Sequence, residues 1–211
     1  NNVTIKEGRI STIREYAFNN CVSLEEIELP EGLREIHDHA FNGTPITELV
    51  IPSTITKLAS DSNYENYRQS SFAGASLLRR VVLAEGLETV PNRALKDCTQ
   101  VTEVVLPSTL KNIEALAFVN CTGLTEILLP NGLNRLAESC FGGCKSLKEI
   151  CLPGTVNNIE GSVFSDCTSL KSISVPVCHL HHDDRFRFSR RYVLIAAWLY
   201  HDHDNDDAGR R

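Results

Sequence analysis

A β-solenoid is the fold class that this sequence predicts: mainly β, with short parallel strands stacked into a curved sheet and a second stripe of short strands or turns on the convex side. Three observations predict it. Pro107, Pro130, Pro153 and Pro176 each lie 23 positions beyond the last, and fixed spacing of this size marks a solenoid or array. Phe18, Phe41, Phe118, Phe141 and Phe164 keep the same register, with Leu95 in the same place in its repeat, and Cys21, Cys98, Cys121, Cys144 and Cys167 form a further column. Ahead of each proline the chain alternates, as in Ile27-Glu28-Leu29-Pro30.

The alternation suits a short strand with Ile27 and Leu29 turned inward, and the proline, which has no N–H to donate, ends the ladder. Seven such strands are expected, with relatives of 24–30 at 124–130, 147–153 and 170–176. Beyond each proline, Leu33 and Ile36 recur as Leu110 and Ile113, as Leu133 and Leu136, and as Val156 and Ile159. Every coil is thus apolar on two sides. No coil buries both sides alone, so neighbours must stack. Two repeats are irregular. Thr44-Pro45-Ile46 is one residue shorter than its counterpart, and nine extra residues near 59–71 form a loop.

The pattern A-F-x-x-C-x-x-L-x-x-I-x-L-P, here Ala117-Phe118 through Cys121, Leu124, Ile127, Leu129 and Pro130, resembles the BspA-like class of leucine-rich repeats over about 3–176. The resemblance implies a curved leucine-rich-repeat solenoid used for protein or surface attachment, of a kind found in bacterial cell-surface proteins and in large families of some protists. It implies neither catalysis nor a cofactor. The expected organisation is a solenoid over 1–176, about seven repeats after a partial first, followed by a non-repeat tail or cap over 177–211, where His179 and His182 stand in place of the apolar residues that the register requires.

Composition bounds the partners. With 42% hydrophobic and 23% charged residues the chain can build a core. Its net charge of −6 argues against nucleic acid or an anionic membrane, which reward clustered Lys and Arg. The longest apolar run, 192–200, falls far short of the roughly 20 residues of a membrane-spanning helix. The sequence opens on Asn1 without a basic and apolar leader, which reads as a fragment or processed product. The residues themselves encode no localisation; the resemblance points to the cell surface or secretion.

In such a strand the residues flanking the inward Ile face the concave side. Before it come Glu26, Glu48, Arg80, Glu103, Glu126, Glu149 and Ser172; after it come Glu28, Val50, Val82, Val105, Leu128, Cys151 and Ser174. The candidate partner-binding set is Glu26, Glu48, Val50, Arg80, Val82, Glu103, Val105, Glu126, Leu128 and Glu149, an acidic ladder beside an apolar strip. It suits a protein or surface ligand with basic and apolar character. The alternative is that Val50, Val82, Val105 and Leu128 merely stack as good strand formers, in a spacer segment of a larger repeat protein without a ligand of its own.

Other features take blander readings. The cysteine column is expected to be a buried thiol ladder, since Thr44 and Ala75 fill the same column and free Cys is among the most buried residue types. The sequons at Asn2, Asn42 and Asn120 are read as chance. Clustered His in 179–182 and 201–203 raise a metal possibility, but the spacing fits no closed zinc site. Apolar 186–188 and 192–200 either cap the last coil or are foreign to the repeat protein. Tyr64, Tyr67 and Arg68 in the insert are the residue types of contact hot spots, or a neutral decoration. The constellations that catalysis needs are missing, and Glu126 with Glu149 simply continues a longer ladder, so no enzyme is expected.

Overall fold

The computed structural model describes residues 2–5, 10–58, 70–175 and 192–193. Among them there is no helix, and the chain winds as a solenoid with two sheet walls. The front wall carries the longer strands: β1 (Asn2–Thr4), β3 (Glu26–Glu28), β5 (Glu48–Ile51), β6 (Arg80–Leu83), β8 (Glu103–Val105), β11 (Glu149–Cys151) and β13 (Ser172–Ser174). The back wall carries two-residue strands: β2 (Thr12–Ile13), β4 (Glu35–Ile36), β7 (Thr89–Val90), β9 (Asn112–Ile113), β10 (Arg135–Leu136) and β12 (Asn158–Ile159). A last strand, β14 (Tyr192–Val193), runs antiparallel to β13; all other pairings are parallel. The rest of the expected tail or cap, including the His clusters, lies outside the described residues.

The register follows the repeat. Val3 pairs with Ile27, Val81 with Val104, and Ile150 with Ile173 on the front wall, and Val90, Ile113, Leu136 and Ile159 align on the back. Inward residues from both walls meet in one core whose aromatic column stacks coil on coil. Ring centroids are 5.3 Å apart for Phe18 and Phe41, 5.7 Å for Phe41 and Phe72, 5.2 Å for Phe118 and Phe141, and 5.8 Å for Phe141 and Phe164. Leu95 stands between the two stacks and is equally buried.

Proline ends the front strands as expected, and the exception shows why. The repeat ending at β6 has Ala84 where others have proline, and Ala84 N–H donates to Ile51 O at 2.9 Å, a bond that proline cannot make.

Two departures from the expected fold are seen among the described residues. Six of the seven expected front strands form, beside β1 of the partial first repeat; 126–128 keeps Ile127 buried but joins no ladder. At the end of the insert region, Ser70 and Ser71 are fully buried in the coil, their hydroxyls donating to Ala94 O and Ile36 O. Ile159, expected in the buried back stripe, is 46% exposed, since among the described residues no further back-wall strand stacks beyond β12.

A corner on the far side of the core joins the back wall to the next front strand, and it carries two left-handed backbone columns. One holds Asn20, Gly43, Gly74, Asp97, Asn120, Gly143 and Asp166; the other holds Tyr16, His39, Arg93, Leu116, Ser139 and Ser162. Positive φ costs a non-glycine residue roughly 1–2 kcal/mol, which the corner offsets with hydrogen bonds. The amides of Leu116, Phe118 and Asn120 donate to Glu138, Cys140 and Gly142 of the next coil at 3.0, 2.8 and 2.8 Å. With left-handed residues four apart at its two ends, the corner aims every second N–H along the stack and so forms a third ladder.

Candidate functional site

The front wall presents the expected partner-binding set, and its columns lie side by side in the register Glu48, Arg80, Glu103 and Val50, Val82, Val105. The acidic ladder is not uniform. Arg80 forms ion pairs with Glu48 and, at 3.0 Å, with Glu103, so one guanidinium holds the two carboxylates on either side of it. The hydrogen bond to Glu103 leads the interactions that hold the Arg80 pKa above its ordinary value, against partial desolvation. Glu26, Glu126 and Glu149 are exposed and have no ion pair among the described residues.

The apolar strip is likewise uneven. Val82 and Val105 are half-buried against their neighbours, whereas Val50 is 49% and Leu128 85% exposed. The two middle valines stack, as strand formers do; Leu128 stands out of the wall. Glu28 and Cys151, on the same face, are exposed as well. The ion triad around Arg80 was readable in the sequence, where a lone cation sits in an acidic column at stacking distance. The isolation of Leu128 was not, because 124–130 fits the repeat pattern.

The cysteine column is buried at Cys98, Cys121, Cys144 and Cys167, as expected, but Cys21 is exposed. The cause is geometric. The thiols of Cys121, Cys144 and Cys167 donate to the carbonyls of Leu95, Phe118 and Phe141, each 26 positions earlier, at 3.2, 3.2 and 3.1 Å, whereas the Cys21 thiol meets no such carbonyl among the described residues. Burial pushes the Cys98 thiol up to about 12 and Cys121 well above its ordinary value, which disfavours the reactive thiolate. These cysteines satisfy backbone carbonyls. The amides of Asn42 and Asn120, both in sequons, are also committed to the stack, donating to Asn19 at 2.7 Å and to Asp97 at 2.8 Å. The described residues hold no group of three metal-ligating side chains and no helix long and apolar enough to cross a membrane. Tyr64, Tyr67 and Arg68 lie outside them.

A period of 23, a front ladder, a back ladder and a Cys that caps the preceding coil match a known repeat. The family model for the BspA type leucine-rich repeat region matches 1–69 and 65–186 with six copies. The chain belongs to the BspA-type leucine-rich repeat family. Among solved structures, a leucine-rich repeat protein from Bacteroides ovatus is similar, with 27% identity and a TM-score of 0.59 over 82% of this chain and 48% of that one. A leucine-rich repeat protein of T. pallidum has 24% identity and a TM-score of 0.48 over 82% and 62% of the two chains. A leucine-rich cell surface protein of Faecalibacterium prausnitzii has 24% identity and a TM-score of 0.46 over 82% and 52%. The chain thus spans about half the length of the Bacteroides protein. No curated protein matches. Proteins of the BspA type are leucine-rich repeat scaffolds, in which each coil contacts its neighbours.

Proposed function

We propose that this BspA-type solenoid is a recognition module without catalytic activity, which holds a protein or surface ligand of basic and apolar character on its front wall. The observation that carries the reading is the pairing of exposed carboxylates at Glu26, Glu126 and Glu149 with the exposed side chains of Val50 and Leu128 on one face. An apolar surface rimmed by charge is what a binding site presents, and unpaired glutamates favour a cationic partner by complementarity. Glu48, Arg80 and Glu103 neutralise one another in part, and Val82 and Val105 are half-buried, so this stretch supplies shape more than charge.

A second reading, a spacer segment of a longer repeat protein, draws on the stacking of Val82 and Val105. One experiment separates the two: the chain with Lys at both Val50 and Leu128 is compared with the wild type as bait, with captured proteins identified by mass spectrometry. A partner taken by the wild type, shown to bind directly when purified, and lost by the variant supports recognition. Identical capture by both supports the spacer.

A further inference from the structure

Among the described residues the front wall is interrupted twice, between β3 and β5 and at 126–129, and at the second place the segment itself forms no strand. Residues 126–129 lie between β8 and β11 yet make no backbone hydrogen bond to either among the described residues; the bond that ties this stretch to the next coil is Lys148 N–H to Thr125 O, at 3.2 Å. Around β6 the equivalent stretch is tied twice on each side: both Arg79 and Arg80 donate to Thr47 O at 2.9 and 3.1 Å, and both Thr102 and Glu103 to Arg79 O at 2.9 and 3.1 Å. On the back wall the same coil is fully joined, β10 pairing with β9 on one side and with β12 on the other.

Two further features fall on the same segment. Leu128, at 85%, has the highest exposure of the large hydrophobic residues described. Glu126 on this segment and Glu149 on β11 are exposed and have no ion pair, whereas Glu48 and Glu103 are held by Arg80. Residues i and i+2 of an extended segment share a face, and adjacent coils sit about 4.8 Å apart, so Glu126, Leu128 and Glu149 form one compact group. An exposed leucine, two carboxylates without an ion pair among the described residues and a backbone outside any ladder thus coincide across two adjacent coils.

Resting on the front-wall reading above, we infer that 124–130 is the docking point of that wall, and that its occupant is an extended protein segment presenting an apolar side chain flanked by lysine or arginine. The apolar side chain covers Leu128, removing both from water. The flanking cations meet Glu126 and Glu149 and the carbonyls of 126–129, in charge-assisted hydrogen bonds stronger than neutral ones. The stretch around Arg80 lacks this chemistry because its carboxylates already have a cation.

The test uses the full chain and two dye-labelled decapeptides, one alternating Lys with Leu and one alternating Glu with Leu, followed by fluorescence anisotropy at physiological salt. The Lys/Leu peptide is expected to bind saturably and the Glu/Leu peptide not to bind. Leu128→Lys, and separately Glu126→Lys with Glu149→Lys, weaken binding at least tenfold, while Glu15→Lys with Glu138→Lys, an equal charge change just past the back-wall strands β2 and β10, leaves it within twofold. All these positions are exposed, and circular dichroism melts confirm that each variant folds. Equal weakening by the two glutamate pairs, or no saturable binding, overturns the docking point. Loss with Val50→Lys but not with Leu128→Lys overturns it too, yet leaves the front wall as the binding face. Binding unaffected by any of these variants sinks both the docking point and the front-wall reading.

Discussion

The two walls of one coil behave differently. Around 135–136 the back strand is paired on both sides, and Arg135 reaches Glu114 and Glu160 in the adjoining coils at 2.8 Å each. Nine residues earlier, the front segment of that coil is paired on neither side. Near the insert the pattern is reversed: β5 and β6 pair over four residues across it, whereas on the back wall the bridge from Glu35 to Lys57 is not continued to β7. A solenoid with several ladders tolerates a gap in one of them, because the core column and the remaining ladders keep the coils in register.

If the core column carries the register, breaking it should outweigh anything done to a wall. Phe118→Ala removes a fully buried ring from the stack and should cost about 3–5 kcal/mol, read as a fall in the urea midpoint; a loss below ~1 kcal/mol would show that the ladders, not the column, hold the coils. Native-state hydrogen exchange sharpens the contrast between walls. The amides of 126–129 should exchange faster, by on the order of 100-fold, than those of Ile113 and Leu136 in the same coils, since unpaired N–H groups need no opening event. Equal protection would mean that the front ladder closes in solution.

A smaller effect concerns the back-wall clamp. Hydrogen bonds from Arg135, and then from the Glu138 amide, hold the Glu160 carboxyl below its ordinary value. A carboxylate whose pKa is lower in the folded than in the unfolded state adds stability that is present above the unfolded value and lost as the pH falls through the folded one. Arg135→Gln should therefore lower the melting temperature slightly at pH 7, and the difference from wild type should vanish below the carboxylate range. A difference that persisted unchanged at pH 3 would place the role of Arg135 in packing instead. Smallest of all, Leu128→Lys should leave stability within about 0.5 kcal/mol, because the side chain is already in water.

The coil period, both walls, the aromatic column and the burial of most cysteines were legible because each rests on stacking, which repeats at every coil. One of the left-handed columns was also legible: Asn, Gly and Asp recur two residues past the Phe position, and these types adopt positive φ most readily. The other was not. Tyr16, His39, Arg93, Leu116, Ser139 and Ser162 share no chemistry, so the conformation is imposed by the corner's hydrogen bonds. The open segment was hidden for a related reason. Residues 124–130 and 147–153 read alike, and whether a short ladder closes depends on fractions of an ångström that no residue type encodes. Cys21 misled because the column reads alike at every coil, although its thiol meets no such carbonyl among the described residues.

The pairing of Glu48 with Arg80, 32 positions apart where Arg80 and Glu103 lie 23 apart, has a consequence for how such molecules change. Extra residues enter between two coils without shifting any side chain from one face to the other, and the entropic cost of lengthening a flexible connection grows only as the logarithm of its length. The connection between Leu58 and Ser70 is thus a natural port for grafting: an epitope tag or a small folded domain placed there should leave the stacked coils, and whatever they hold, as they were.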